Sequence, residues 1–241
     1  MKFSIRRPVH FDDFSKWLSG LENIPIELAL PHDMQEFWSI VGRLNELKEY
    51  VRGNNIVVNS VHAPHGRLSA NAFLSWALPV IRFSFRVNAH FLVFHPENHI
   101  AKARKPDFQA NALSYIKTLQ GKTPVTVAIE TFTSSSRLFT PEELMQYKLP
   151  MVLDTSSVTE QYAIELIRQY SDNIVDIRLS EGRTDPGSGK ALQSVPSEGS
   201  GISLLEVAKD MHWKGSVTLE YLPENYDRLM PDRERLKNIF G

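Results

Sequence analysis

Histidines and carboxylates recur at one kind of place in this 241-residue chain, the end of a short run rich in Val, Ile and Leu. Glu27 lies within one such run. Others close as Ser60-Val61-His62, Phe94-His95-Pro96, Ile129-Glu130-Thr131, Leu153-Asp154-Thr155 and Leu219-Glu220-Tyr221. Taken singly, each reads best as a satisfied polar group or a helix cap. Jointly they do not, because burying several carboxylates near one another is prohibitive unless a cation, protons or hydrogen bonds compensate. Imidazole and carboxylate are ligands of divalent metals, and with no cysteine in the chain any transition-metal site must use them. The chemistry such residue types offer is the holding of a cation.

Such groups converge only if the elements carrying them run side by side. Apolar runs read as strands over Phe3–Arg6, Ile24–Leu30, Ile56–His62, Ala89–His95, Val125–Glu130, Met151–Asp154, Ile174–Leu179 and Val217–Glu220. Between them the spacing predicts helices over Asp12–Ser19, Asp33–Arg52, Leu68–Phe85, Pro106–Leu119, Pro141–Tyr147, Val158–Tyr170, Ile202–Asp210 and Pro231–Ile239. Strict alternation demands parallel strands with crossover helices, and about eight units in about 250 residues is the size of a (β/α)8 TIM barrel. A single domain over residues 1–241 is expected. An open doubly wound sheet competes, but no Gly-x-Gly-x-x-Gly or P-loop turn follows any strand. The Gly-, Ser- and Pro-rich stretch 181–201 is too polar for core. It follows the seventh strand, where a barrel would carry an active-site loop or lid.

Twenty-seven Lys and Arg against 28 Asp and Glu leave a net charge of −1, which weighs against nucleic acid as partner. No apolar run is long enough to span a membrane, and the charged start Met1-Lys2-Phe3-Ser4-Ile5-Arg6-Arg7 is unlike a signal peptide, so a cytoplasmic protein is expected. Barrels leave their outer helix faces available for a homodimer.

The segments Asn59-Ser60-Val61-His62-Ala63-Pro64, Phe94-His95-Pro96, Ala128-Ile129-Glu130-Thr131, Val152-Leu153-Asp154-Thr155 and Thr218-Leu219-Glu220, in this order, resemble the xylose-isomerase-like TIM barrel superfamily. That group holds sugar isomerases and epimerases together with the AP endonuclease family 2 enzymes such as endonuclease IV. The resemblance implies one divalent metal ion (Mn, Zn, Mg or Co). Its ligands would come from Glu130, Asp154, Glu220, His62 and His95: the first three resemble ligands of the isomerising branch, and His62, His95 and Glu130 a zinc set of the nuclease branch. It further implies Glu130 and Glu220 as catalytic groups, with Glu27, His62 and His95 contacting a small-molecule sugar or sugar phosphate; the Arg178 guanidinium could itself bind a substrate phosphate or carboxylate in a two-pronged fashion.

The departures carry as much information. Arg178 stands where the isomerising branch has a histidine ligand, Ser157 stands where the nuclease branch has another, and the stretch 181–201 contains no histidine. A trinuclear zinc cluster is therefore not expected. Guanidinium keeps its charge and does not ligate metals. With one divalent ion, Arg178 would formally neutralise Glu130, Asp154 and Glu220; without it two negative charges remain. At an effective dielectric near 20 each contact at about 4 Å is worth roughly 4 kcal/mol, enough to recruit an ion or shift a proton. The expectation is a metal-dependent isomerase or epimerase working by proton transfer next to a carbonyl. The alternatives are a phosphoester hydrolase using His62, His95 and Glu130, and a noncatalytic sugar or anion binder in which Arg178 replaces the metal. His32 reads as structural or exposed, His65 as a turn residue that either supports His62 or reaches substrate or else faces solvent, and Lys102-Ala103-Arg104-Lys105 as a solvated basic run that could greet a phosphate.

Overall fold

The structure, a computed structural model, describes residues 1–132, 134, 136–184, 191–193 and 201–241. In chain order the elements are β1 (Lys2–Pro8), α1 (Phe14–Leu18), β2 (Pro25–Ala29), α2 (Met34–Ile40), α3 (Leu44–Gly53), β3 (Val57–His62), α4 (Phe73–Arg86), β4 (Phe91–Phe94) and α5 (Lys105–Gln120). They continue as β5 (Thr126–Glu130), α6 (Pro141–Gln146), β6 (Met151–Asp154), α7 (Glu160–Tyr170), β7 (Ile174–Thr184), β8 (Ala191–Gln193), α8 (Ile202–Asp210), β9 (Ser216–Glu220) and α9 (Tyr226–Phe240). The strand order is β6-β5-β4-β3-β2-β1-β9-β7-β8, and β6 also pairs with β7. Eight parallel strands thus close on themselves as a (β/α)8 barrel, with β8 an antiparallel addition to β7.

Contacts divide the chain into two compact units. One comprises Arg7–Glu130 with Ser134–Thr140, here the N-terminal unit; the other comprises Met1–Arg6, 131–133 and Pro141–Gly241, here the C-terminal unit. In the N-terminal unit β2, β3, β4 and β5 pair in sequence, all parallel. Most of their residues are buried on both faces, as crossover helices require, so these strands are rich in Val, Ile, Leu and Phe with polar residues such as Glu27, Asn59 and Ser60 buried among them. Phe73 and Trp76 of α4 meet the Phe94 ring edge-on at 5.4 and 5.6 Å, locking that helix against the end of β4. In the C-terminal unit β6, β7, β9 and β1 pair in that order. Trp213 donates its indole N–H to the Ile174 carbonyl at 2.8 Å, and Arg233 of α9 donates to the Phe3 carbonyl at 3.1 Å.

Several expected boundaries move for identifiable reasons. The long helix expected over Asp33–Arg52 is two helices joined by a 3-10 turn, Val41–Arg43, around Gly42, the poorest helix former in that stretch. The last helix starts at Tyr226, and Pro231, expected at its start, lies inside it. Strand β7 runs on to Thr184, beyond the expected Leu179, and pairs with β8 at Glu181–Gln193. The expected lid over 181–201 otherwise lies outside the described residues. Among the described residues no helix is long and apolar enough to cross a membrane.

Candidate functional site

Side chains alternate across a strand, so every second residue of β1, β7 and β9 shares a face. On β7 that face carries Asp176, Arg178 and Ser180, and on β9 Ser216, Thr218 and Glu220; register sets Asp176 beside Ser216, Arg178 beside Thr218 and Ser180 beside Glu220. The C-terminal unit therefore has a polar interior arranged in layers. Ser216 donates to Asp176 at 2.5 Å, and Ser4 and Thr218 share a hydrogen bond of 2.7 Å. In the layer at the strand ends, Asp154 accepts from the Ser156 N–H at 2.9 Å and the Ser156 hydroxyl at 2.8 Å. The Ser180 hydroxyl lies 2.9 Å from Asp154 Oδ1 and 3.2 Å from Glu220 Oε2, and its single proton serves one of them at a time.

Two guanidiniums complete that layer. Arg6 donates to Glu220 Oε2 at 3.1 Å, and Arg178 Nε stands 3.6 Å from the same oxygen, an ion-pair contact rather than a hydrogen bond. Arg178 is fully buried. The expected role of Arg178 beside Glu220 is thus joined by a second cation, Arg6, that sequence reading passed over as an ordinary strand residue. Its signal was a charged side chain two positions from Ser4 on one strand face. Glu220 thus meets two permanent positive charges within its own unit. Ser157, at the place of an absent histidine ligand, hydrogen-bonds the Thr131 and Asp154 carbonyls at 2.7 and 2.9 Å.

The N-terminal unit carries a different set. Glu27 is fully buried on β2 and accepts from the Ser60 hydroxyl at 3.0 Å. His62, at the end of β3 and 1% exposed, contacts Glu130 through Nε2 and Oε2 at 3.1 Å, and Glu130 is 4% exposed. Which of the two atoms donates in this contact is set by the tautomer of the ring. The rings of His32 and His65 stack at 4.2 Å, and those of His65 and His95 at 4.1 Å. The His62 ring lies 5.7 Å from that of His32 and 5.8 Å from that of His65. A backbone bond of 2.9 Å from His65 N–H to the His32 carbonyl ties the two loops together. Gly66 lets this loop pass Trp76, because a Cβ there would come within 2.4 Å of the indole.

One ligand atom from each of His32, His62 and His65 lies within 4.8 Å of the others, a set that could hold a metal ion. Imidazole nitrogens suit zinc and its first-row neighbours. His32 and His65 were not among the expected ligands. Their signal was the Pro31-His32 and Pro64-His65 pairs placed alike after β2 and β3, near His95-Pro96 after β4. Behind Glu130, Arg137 donates to the Pro96 carbonyl at 3.3 Å; burial lowers its pKa, and the Glu130 charge pulls it back up.

With barrel and side chains in place, comparison with solved structures becomes informative. A xylose isomerase domain-containing protein from Salmonella typhimurium LT2 superposes with a TM-score of 0.69 at 14% identity, covering 98% of this chain and 95% of that one. The fold is that of the xylose-isomerase-like TIM barrels. The 3-keto-D-glucoside 4-epimerase YcjR of E. coli matches this barrel with a TM-score of 0.65 at 12% identity over 99% of this chain and 98% of that one. The IolI protein, solved with a zinc atom, matches it with a TM-score of 0.66 at 15% identity over 99% and 96%. No protein-family model and no curated protein sequence matches the chain.

Proposed function

We propose that the chain is a one-domain, divalent-metal-dependent isomerase or epimerase that acts on a sugar or sugar phosphate by proton transfer next to a carbonyl. The observation that carries this reading is the buried His62–Glu130 pair at 3.1 Å, set beside His32, His65 and His95. A carboxylate that fixes the tautomer of one imidazole, with further imidazoles in reach, is the arrangement of a metal-binding centre. The proposed ligands are His62, His95 and Glu130, as the resemblance implies, with His32 and His65 as added donors. When bound, the ion would polarise a substrate oxygen and lower the cost of negative charge developing on it. Glu130 orients His62 and is placed to move a proton at its Oε atoms, and Glu220 is proposed as the partner acid/base at the end of β9. Asp154 and Glu27 are proposed to hold ligands or substrate hydroxyls, and Arg178 to steady Glu220.

The test is solvent-deuterium exchange. Protein purified without chelator, then loaded with zinc, manganese, magnesium or cobalt, is incubated in D2O with a panel of ketoses, aldoses and their phosphates. Metal-dependent deuterium incorporation beside the carbonyl is expected, with loss of at least about 100-fold in Glu130→Gln. Incorporation that survives Glu130→Gln and Glu220→Gln unchanged sinks the reading.

A second reading, a noncatalytic sugar or anion binder with a degenerate metal site, is favoured by one observation: Arg6 and Arg178 already offset Glu220. Elemental analysis separates the two, since this reading requires that the protein retain no stoichiometric metal.

A further inference from the structure

Where strands β1 and β9 begin, wholly within the C-terminal unit, lies a cavity of about 280 Å³ lined by Lys2, Lys209, His212, Trp213, Lys214 and Phe240. We propose that it binds a small phosphorylated molecule, the phosphate on the lysines and the ring or other apolar part against Trp213 and Phe240, at a site separate from the metal and proton-transfer chemistry. Register places the charges. Lys2 pairs with Ser216 at the start of β9, and Lys214 precedes Ser216 by two residues, so these two lysines belong to adjoining strand starts. Glu220 closes β9 about 13 Å further along the strand, at roughly 3.3 Å per residue. Barrels of this kind keep their catalytic groups at that far end, so a ligand here is bound away from the chemistry.

The apolar wall is fixed in place. Trp213 donates its indole N–H to the Ile174 carbonyl at 2.8 Å and its backbone N–H to the Ala208 carbonyl at 3.0 Å. Gly215 leaves room for the indole, because a Cβ there would come within 2.1 Å of it. His212 makes the left-handed turn that ends α8, with φ 55°, at the position where glycine is usual. The groups on either side of the Trp213 ring, His212 and Lys214, are thereby held at the same cavity.

The charges are not explained by the fold alone. Lys209, in the last turn of α8, donates to the Ile239 carbonyl at 3.0 Å and lies 5.7 Å from the centre of the Phe240 ring, so it complements the carbonyl end of α9. Lys2 and Lys214 lie in no helix and are exposed, and among the described residues neither ammonium has an ion-pair or hydrogen-bond partner. No carboxylate lines the cavity. Three ammonium groups sharing one small cavity repel one another, and a dianion entering between them turns that repulsion into attraction. The excess is local, because the whole chain carries a net charge of −1. Lysine ammonium is a compact charge with three donors that suits a phosphate, and the His212 ring adds an N–H in either protonation state.

The experiment is isothermal titration of the full-length protein with AMP, phenyl phosphate, inorganic phosphate and adenosine. AMP and phenyl phosphate should bind at least about 10-fold more tightly than adenosine, which lacks the charge, and than inorganic phosphate, which lacks the apolar part, with affinity falling as salt rises. Lys2→Met and Lys214→Met, both on exposed side chains, should each weaken AMP and phenyl phosphate about 10-fold, the effect of one charge-assisted contact. Lys117→Met, an exposed lysine of α5 in the N-terminal unit, should leave both affinities as they were, and so should Glu130→Gln. Adenosine or inorganic phosphate binding as tightly as AMP overturns the proposal, as does unchanged affinity in Lys2→Met and Lys214→Met. An equal loss in Lys117→Met would mean diffuse surface charge, and an equal loss in Glu130→Gln binding at the other end of the barrel; either also overturns it. Because the site needs no metal, stripping metal should leave AMP binding intact, so the metal reading and this one fail separately.

Discussion

Glu220 in the C-terminal unit and Glu130 in the N-terminal unit both close a parallel strand, yet the first meets guanidinium at 3.1 and 3.6 Å and the second meets imidazole at 3.1 Å. Guanidinium never gives up its proton and offers no lone pair, so Glu220 sits in a fixed field. Imidazole can be neutral or charged and can ligate, so the surroundings of Glu130 can answer a metal or a proton. The difference teaches that a carboxylate at a strand end is not one kind of feature: what stands beside it decides whether it is framework or chemistry.

The largest effect should come from the fixed side. Arg178→Met leaves Glu220 and the polar layer short of a buried cation and should cost about 3–5 kcal/mol in urea unfolding. Arg178→Met/Glu220→Gln should recover part of that loss; if the double variant is as unstable as the single, the pairing is not what holds Arg178. On the responsive side the same kind of removal should act on metal rather than on folding. Glu130→Gln should lower metal affinity about 10- to 100-fold, read by competition with a chromophoric chelator, and change stability far less than Arg178→Met. The contrast between units breaks if the two variants swap these outcomes.

A smaller effect concerns pH. Burial raises the Glu97 pKa above 4.5, so the folded state holds that proton more tightly than the unfolded chain does. Glu97 therefore supports folding at low pH, and its contribution is lost as pH rises from the unfolded value through the folded one. Glu97→Gln should flatten that decline in the melting temperature between pH 4 and 7; an unaltered slope counts against it. The smallest effects are the helix caps, one in each unit. Asp33 accepts from the Glu36 N–H at 2.9 Å and Thr159 from the Tyr162 N–H at 3.3 Å. Asp33→Ala and Thr159→Ala should each cost about 1 kcal/mol and leave metal content as it was.

Most of the barrel was legible because strands buried on both faces leave runs rich in Val, Ile, Leu and Phe, and those from Phe3 to Glu220 mark the eight parallel strands within a few residues. The hairpin strand β8 was not, since Ala191-Leu192-Gln193 is too short to stand out in a Gly- and Ser-rich stretch. At the site, the hydrogen bond between His62 and Glu130, 68 residues apart, joins two residues both singled out from their strand ends. His32 and Arg6 were missed because their local signals, a Pro-His pair repeated after two strands and a charge two positions from Ser4, do not say whether a side chain faces its partners or water.

What the sequence by itself determined is periodicity and composition: which runs must be strands, that they alternate with helices, and that histidine and carboxylate are the only strong ligands on offer. Those are local quantities, written in the spacing of apolar residues and in residue counts. Only tertiary structure decided which cation each carboxylate meets, because charges interact through space over a few ångströms while their positions in the chain lie tens to hundreds of residues apart, as Arg6 and Glu220 do.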